Sequence, residues 1–255
     1  MLQTLIALSL LAFPSFIYPA YPEYQECTIN QRALCYFPES WGPGAYLNPA
    51  IVKHIKREKV SSILEIGSRD ARDAIALGEY YECHVFAFEC NPLCLEICKR
   101  NASLTKNVTV VAKAAWDETG TIPFYPVIPG EGKIKDPGSS SCFHLTDNKL
   151  KSYSQGEITV SAIRLDGWMK ENDIASIDLI CMDTQGATLK ILQGMGESLK
   201  QTKYIVTECE VEHIYKGECL LPELISYLEK YGFEQVKTTM EYDYLFINRN
   251  LISKN

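Results

Sequence analysis

Apolar residues in this chain fall into short blocks separated by polar turns, and the blocks alternate between two periods. Residues 60–66 (Val-Ser-Ser-Ile-Leu-Glu-Ile) are mostly apolar and β-branched and predict a buried strand ending at Gly67. Ala71 to Tyr80 reads as a helix, and Val85 to Phe88 as a second strand closing on Glu89. Pro92 to Leu104 is a helix whose Leu93, Ile97 and cysteines at 90, 94 and 98 form an inward stripe. Asn107 to Ala115 predicts a third strand. Gly120 to Val127 predicts an edge strand, because Pro123 and Pro126 cannot donate to a central ladder. Ile128 to Ser141 reads as a loop and Ile158 to Leu165 as an alternating strand, with Asp166 capping a short helix. Ile177 to Met182 and Tyr204 to Val206 are further strands, each followed by a helix, near 187–194 and at 220–231. Phe233 to Met240 and Tyr242 to Asn248 have only Glu241 between them and predict an antiparallel hairpin. The whole implies an α/β fold: a doubly wound, mostly parallel seven-stranded sheet with a C-terminal antiparallel hairpin.

Ligands of such sheets bind beyond the carboxyl ends of the strands. Here those ends are Gly67, Glu89, Ala115, Asp183 and Glu208. The opening strand–turn–helix–strand unit has a glycine where backbone N–H groups face a ligand. Its acid lies 22 residues later, where a carboxylate accepts both hydroxyls of a ribose. This arrangement suits a nucleoside.

Before this unit the chain divides in two. Residues 1–20 are hydrophobic, and 21–59 form an arm rich in Tyr, Pro and Glu that leads to a helix starting at Asn48-Pro49. The main domain is expected over 60–250. Residues 2–17 lack Lys and Arg and are short for a span, so a signal, an anchor and a membrane-lying helix all stay open. A net charge of −7 leaves no basic surplus for nucleic acid. Ten cysteines do not settle the compartment; Cys27 and Cys35 are the pair suited to a disulfide if it is oxidising. Asn101-Ala-Ser and Asn107-Val-Thr match the glycosylation pattern.

Five segments together resemble a class I S-adenosylmethionine-dependent methyltransferase of the FkbM type. Ile63-Leu-Glu-Ile-Gly67-Ser-Arg-Asp70 is similar to the family's first motif, and Phe86-Ala-Phe-Glu89-Cys-Asn-Pro92 to its second-strand pattern. Gly138 to Ser141 with Val160 to Trp168 resembles its serine loop and following segment. Ile177-Asp-Leu-Ile-Cys-Met-Asp183-Thr-Gln-Gly186 through Gly194 resembles the central signature. Tyr215-Lys-Gly217 with Leu221 to Phe233 resembles the closing helix. The resemblance implies a Rossmann-like fold, S-adenosylmethionine as cofactor, and methyl transfer to an oxygen of a small-molecule or glycan-like acceptor. Cofactor supply then points to the cytoplasm.

It also implies a site. Glu89 takes the ribose diol, bordered by Cys90 and Asn91, and Gly67, Ser68, Arg69 and Asp70 form the loop against the amino-acid part. Glu65 lies below that turn, near the amino group or as a buried acid satisfied by backbone. Ala115 and Trp116 follow the third strand, where adenine packs; Trp116 as plain core is the competing reading. Asp183 faces the methyl group and binds the cofactor's amino group, positions the acceptor or acts as base. His213 is the second candidate catalytic group, against a plain surface reading for it and for His144. Glu208, Glu210 and Glu212 share a face if their strand continues, and with Asp183 offer oxygen ligands to a divalent cation.

The chain departs from the family pattern in places. Arg69 and Ala71 stand where many members have glycine, Gln185 and Thr188 where glutamate is frequent, and Cys181 where lysine is usual. Two other readings therefore stay open. One is a nicotinamide oxidoreductase, which shares the opening unit; the other is a non-catalytic protein that keeps the fold for binding.

Overall fold

A computed structural model describes residues 25–29, 32–36, 45–132, 137–147 and 153–253, with the backbone alone for 25–29, 32–36, 45, 129–132 and 153. The hydrophobic segment 1–20 and the side chains of Cys27 and Cys35 lie outside the described residues. No described helix is long and apolar enough to cross a membrane.

Two short strands, β1 (Gln25–Ile29) and β2 (Arg32–Tyr36), pair antiparallel within the Tyr-, Pro- and Glu-rich arm. Asn48 then caps α1 (Pro49–Val52), its side chain accepting from Ala50 N at 2.8 Å. The opening unit follows as β3 (Ser62–Ile66), α2 (Arg72–Tyr81), β4 (His84–Phe88), α3 (Pro92–Ala102) and β5 (Val108–Val111). Next come β6 (Ala114–Trp116), β7 (Gly120–Phe124), β8 (Val127–Gly132), β9 (Tyr153–Gln155), β10 (Ile158–Arg164) and α4 (Leu165–Glu171). The chain closes with β11 (Leu179–Met182), α5 (Thr188–Met195), β12 (Tyr204–Glu208), α6 (Leu221–Glu229), β13 (Phe233–Val236) and β14 (Asp243–Asn248).

The main sheet has seven strands in the order β13-β14-β12-β11-β3-β4-β5. Neighbours from β5 through β12 run parallel, and β14 lies antiparallel to both β12 and β13. The C-terminal hairpin is present, but its strands are shorter than the apolar run suggests, and residues 237–242 form a loop. Three other readings need correction. The run 107–115 breaks at Lys113, whose N–H bonds back to Val111 O at 2.9 Å. Its second half, β6, leaves the main sheet to pair with β10, which also pairs with β7. The strand at 158–165 therefore belongs to a separate three-stranded sheet. There β7 is an edge, where Pro123 costs no ladder bond. Finally, part of the loop 128–141 is strand β8, paired with β9.

Alternate residues of the central strands feed two apolar layers. Leu64, Ile66, Phe88, Ile180 and Met182 pack under α5 and the small sheet. Ile63, Val85, Ala87, Leu179 and Cys181 pack against α2 and Tyr46 on the other face. Trp168 of α4 closes the first layer edge-on to Phe86 and Phe88, with ring centroids 5.2 and 4.9 Å away. The cysteine stripe is packed as expected, with Cys94 and Cys98 buried and outside any disulfide.

Candidate active site

The turn after β3 is held from below by β4. Gly67 N and Ser68 N both donate to Phe88 O at 3.0 Å. Gly67 has φ +86°, and a methyl group there would lie 1.9 Å from the Asp183 carbonyl oxygen, so only glycine lets the ends of β3 and β11 approach this closely. Arg69 (φ +51°) and Ala71 (φ +61°) also adopt left-handed backbone. The turn thus keeps a glycine-like path at both positions, at a cost of about 1–2 kcal/mol each. Fully buried Asn101 of α3 helps hold it, its amide donating to Asp70 O at 2.7 Å. That burial closes Asn101 to glycosylation in the folded protein, while Asn107 is exposed.

Beyond the turn lies a cavity of about 560 Å³, partly open to solvent. Ile66, Phe88, Phe124, Ala187 and Ile191 give it apolar walls. Of the residues expected at the site, Gly67, Arg69, Glu89, Cys90, Asn91, Ala115 and Asp183 line it together. The others sit elsewhere. Ser68 and Asp70 are buried behind the turn, where Asp70 pairs with Arg72 at 2.9 Å. Glu65 is 1% exposed on the α2 side of β3, and burial pushes its carboxyl up. Trp116 packs on Phe143 with ring centroids 5.7 Å apart. The His213 side chain is 58% exposed, 3.8 Å from Glu218.

Glu89 is the most enclosed acid of the cavity, at 7% exposure. Its Oε2 accepts Arg69 N and its Oε1 accepts Asn91 N, both at 2.6 Å. Burial pushes the carboxyl up to about 7, against those backbone bonds and the Arg69 charge. Each oxygen keeps a lone pair for a further donor, which a vicinal diol supplies.

Sequence reasoning left the serine loop and the far wall out of the site. Ser140 Oγ donates to Pro137 O at 2.6 Å and accepts from Val127 N and from the Asn91 amide. This ties the loop to the start of α3. Ser141 Oγ donates to Gln185 O at 2.6 Å, joining the same loop to the turn after β11. The signal for both was the short Gly-Ser-Ser-Ser run at 138–141, which the resemblance had already singled out. Strand β12 ends at Glu208, so the expected continuous face of Glu208, Glu210 and Glu212 does not form. Among the described residues no group of acids, histidines or cysteines is arranged to hold a metal ion.

Comparison with known proteins now identifies the family. The profile of the "Methyltransferase FkbM domain" family matches residues 65–234. The chain belongs to the FkbM methyltransferase family. It is 31% identical over 195 residues to the 2-O-methyltransferase NoeI of Sinorhizobium fredii, covering 74% of this chain and 80% of that protein. The methyltransferase sdnD of Sordaria araneosa is 21% identical over 185 residues, covering 64% of this chain and 70% of that protein. Among solved structures, the magnesium protoporphyrin IX methyltransferase of Synechocystis with bound SAM matches with a TM-score of 0.42 at 8% identity, covering 76% of this chain and 72% of that one.

This FkbM-type protein is therefore an S-adenosylmethionine-dependent methyltransferase. The cavity fits the cofactor chemically. Its apolar walls suit a purine. Glu89 and Asp183 offer acceptors to ribose hydroxyls and to an ammonium, and their negative charge suits a cationic ligand.

Proposed function

We propose that this enzyme methylates an oxygen of a small-molecule or glycan-like acceptor. The carrying observation is Asp183, an exposed carboxylate on the cavity wall at the end of β11, next to the Gly67 turn. When bound, S-adenosylmethionine supplies an activated methyl group. The protein then has to hold an acceptor in line with it, exclude water and take up a proton. In this reading Glu89 grips the ribose diol, Gly67 to Arg69 face the amino-acid part, and Asp183 stands where the acceptor hydroxyl arrives. The 2-O-methyltransferase name of the relative at 31% identity supports oxygen over nitrogen as the acceptor atom.

The test is to incubate the full chain with carbon-13 methyl-labelled S-adenosylmethionine and a panel of methyl glycosides and simple alcohols. Carbon NMR of the products then shows where the label went. A methyl ether signal supports the reading. Label appearing only as N-methyl on amine controls overturns it.

A further inference from the structure

Gln185 stands between the cavity and the loop 209–219 and bonds to both. Its side-chain Nε2 donates to Asp183 Oδ1 at 2.7 Å and to Glu208 Oε2 at 3.0 Å. Its Oε1 accepts from the Tyr215 hydroxyl at 2.7 Å, and Tyr215 is only 2% exposed. Its backbone oxygen is held by Ser141 Oγ, and its φ of +50° is left-handed for a residue that is not glycine. A backbone strained in this way persists only where its surroundings over-determine it, and such positions cluster at functional sites.

Resting on the methyl-transfer reading above, we propose that Gln185 is a positioning residue. Its amide, fixed by Tyr215, ties Asp183 to Glu208 and presents the Asp183 carboxylate to the acceptor hydroxyl. An amide is suited to this place because its nitrogen carries two N–H donors, one for each carboxyl group. A glutamate here would bring a third acid and no donor.

The groups facing Glu208 are Asp183 and Gln185 from the turn after β11, Glu210 from its own loop and Asp243 from β14. Burial first, then Asp183, push Glu208 up to about 10. Asp243 is also raised, to about 6, by burial and Asp183. At neutral pH Glu208 therefore holds a proton. In the transfer step the acceptor oxygen bonds to the methyl carbon. The methyl–sulfur bond breaks with its electron pair going to sulfur, and the hydroxyl proton passes to the Asp183 carboxylate.

Two readouts test this on the full chain. Infrared difference spectra against E208Q follow the protonated Glu208 carboxyl from neutral to alkaline pH, with no acceptor present. The band should persist above neutral pH in the wild type. Because the Gln185 amide favours ionised carboxyls, Q185A and the isosteric Q185E should both raise its midpoint by about one pH unit or more. Calorimetry with S-adenosylhomocysteine should give affinities within about threefold of wild type, showing that the variants fold, since Glu89 grips the ribose from the other wall. Initial rates of methyl transfer to methyl glycosides should fall about 100-fold, the effect of a misplaced reacting group. An unchanged midpoint in both variants overturns the tie. A shifted midpoint with wild-type rates overturns its role in catalysis. A shifted midpoint in a wild-type background that methylates no oxygen counts against the functional reading instead, and removes the role with it.

Discussion

The carbonyl oxygen of Asp183 lies where the first side-chain carbon of any residue but glycine would stand at position 67, 1.9 Å from that point. The two central strands thus end against each other, and the turn after β3 and the backbone of Asp183 are locked together. Gly67→Ala meets both the collision and a φ of +86°. It should cost about 2–4 kcal/mol of stability in urea unfolding. Any folded fraction should bind S-adenosylmethionine at least about tenfold more weakly, read by calorimetry.

Glu89 links cofactor affinity to pH. Its folded carboxyl is raised to about 7 from an ordinary value of 4.5. The sign follows from linkage: without cofactor, the raised group contributes stability that is lost as pH climbs from about 4.5 through 7. In the proposed reading the ionised form binds the diol, so cofactor affinity should rise over the upper part of the same window. Calorimetry at a series of pH values should show this rise in the wild type and not in E89Q. E89A should weaken binding by about 1–3 kcal/mol.

Asn91 does two jobs with one side chain. Its Oδ1 accepts from Leu93 N at 3.1 Å and caps α3, while its Nδ2 donates to Pro137 O at 3.3 Å and Ser140 Oγ at 3.2 Å. Asn91→Ala should cost about 1 kcal/mol as a lost cap. It should also release the serine loop, seen as faster hydrogen exchange at 137–142, with a weaker affinity for S-adenosylhomocysteine.

At the opposite end of the sheet, buried Asp178 accepts from Ser61 N at 2.8 Å, Ser61 Oγ at 2.7 Å and Lys203 Nζ at 2.5 Å. Burial pushes its carboxyl up, but these bonds outweigh it and hold the group below the usual carboxylate value. Its contribution is therefore present above that value and lost as pH falls through the lowered one. Lys203→Met leaves the buried acid short of its cation and should lower stability by about 1–3 kcal/mol. This is less than for a fully enclosed pair, because Lys203 is 27% exposed. Urea midpoints at neutral and acidic pH check it: the difference between variant and wild type should shrink in acid.

Much of the fold was legible because buried parallel strands must be short, apolar and β-branched, and 60–66, 85–88 and 177–182 satisfy this from local composition. The same rule misled at 107–115. An apolar run records burial but not which sheet buries it, and the break at Lys113 depends on where β10 lies. At the site, Glu89 and Gly67 were legible from spacing within one unit. Gln185 and Tyr215 were not legible as partners, because the 30-residue separation between them carries no periodic sign of a contact. The cofactor-binding places suggested for Trp116 and Ser68 rested on order along the strand. Side-chain direction turns Trp116 toward Phe143, and Ser68 is buried behind the turn.

By itself the sequence determined the periodicities, hence the strands and helices, and the one glycine and one acid whose separation matches a nucleoside grip. Those are local properties, set by residue type and by distances along a single strand–turn–helix–strand unit. Only the tertiary structure decided that Asp183, Glu208, Gln185 and Tyr215 meet. Three separate segments deliver them to one rim, and hydrogen bonds a few ångströms long depend on strand order and loop path, which pairwise sequence spacing does not encode.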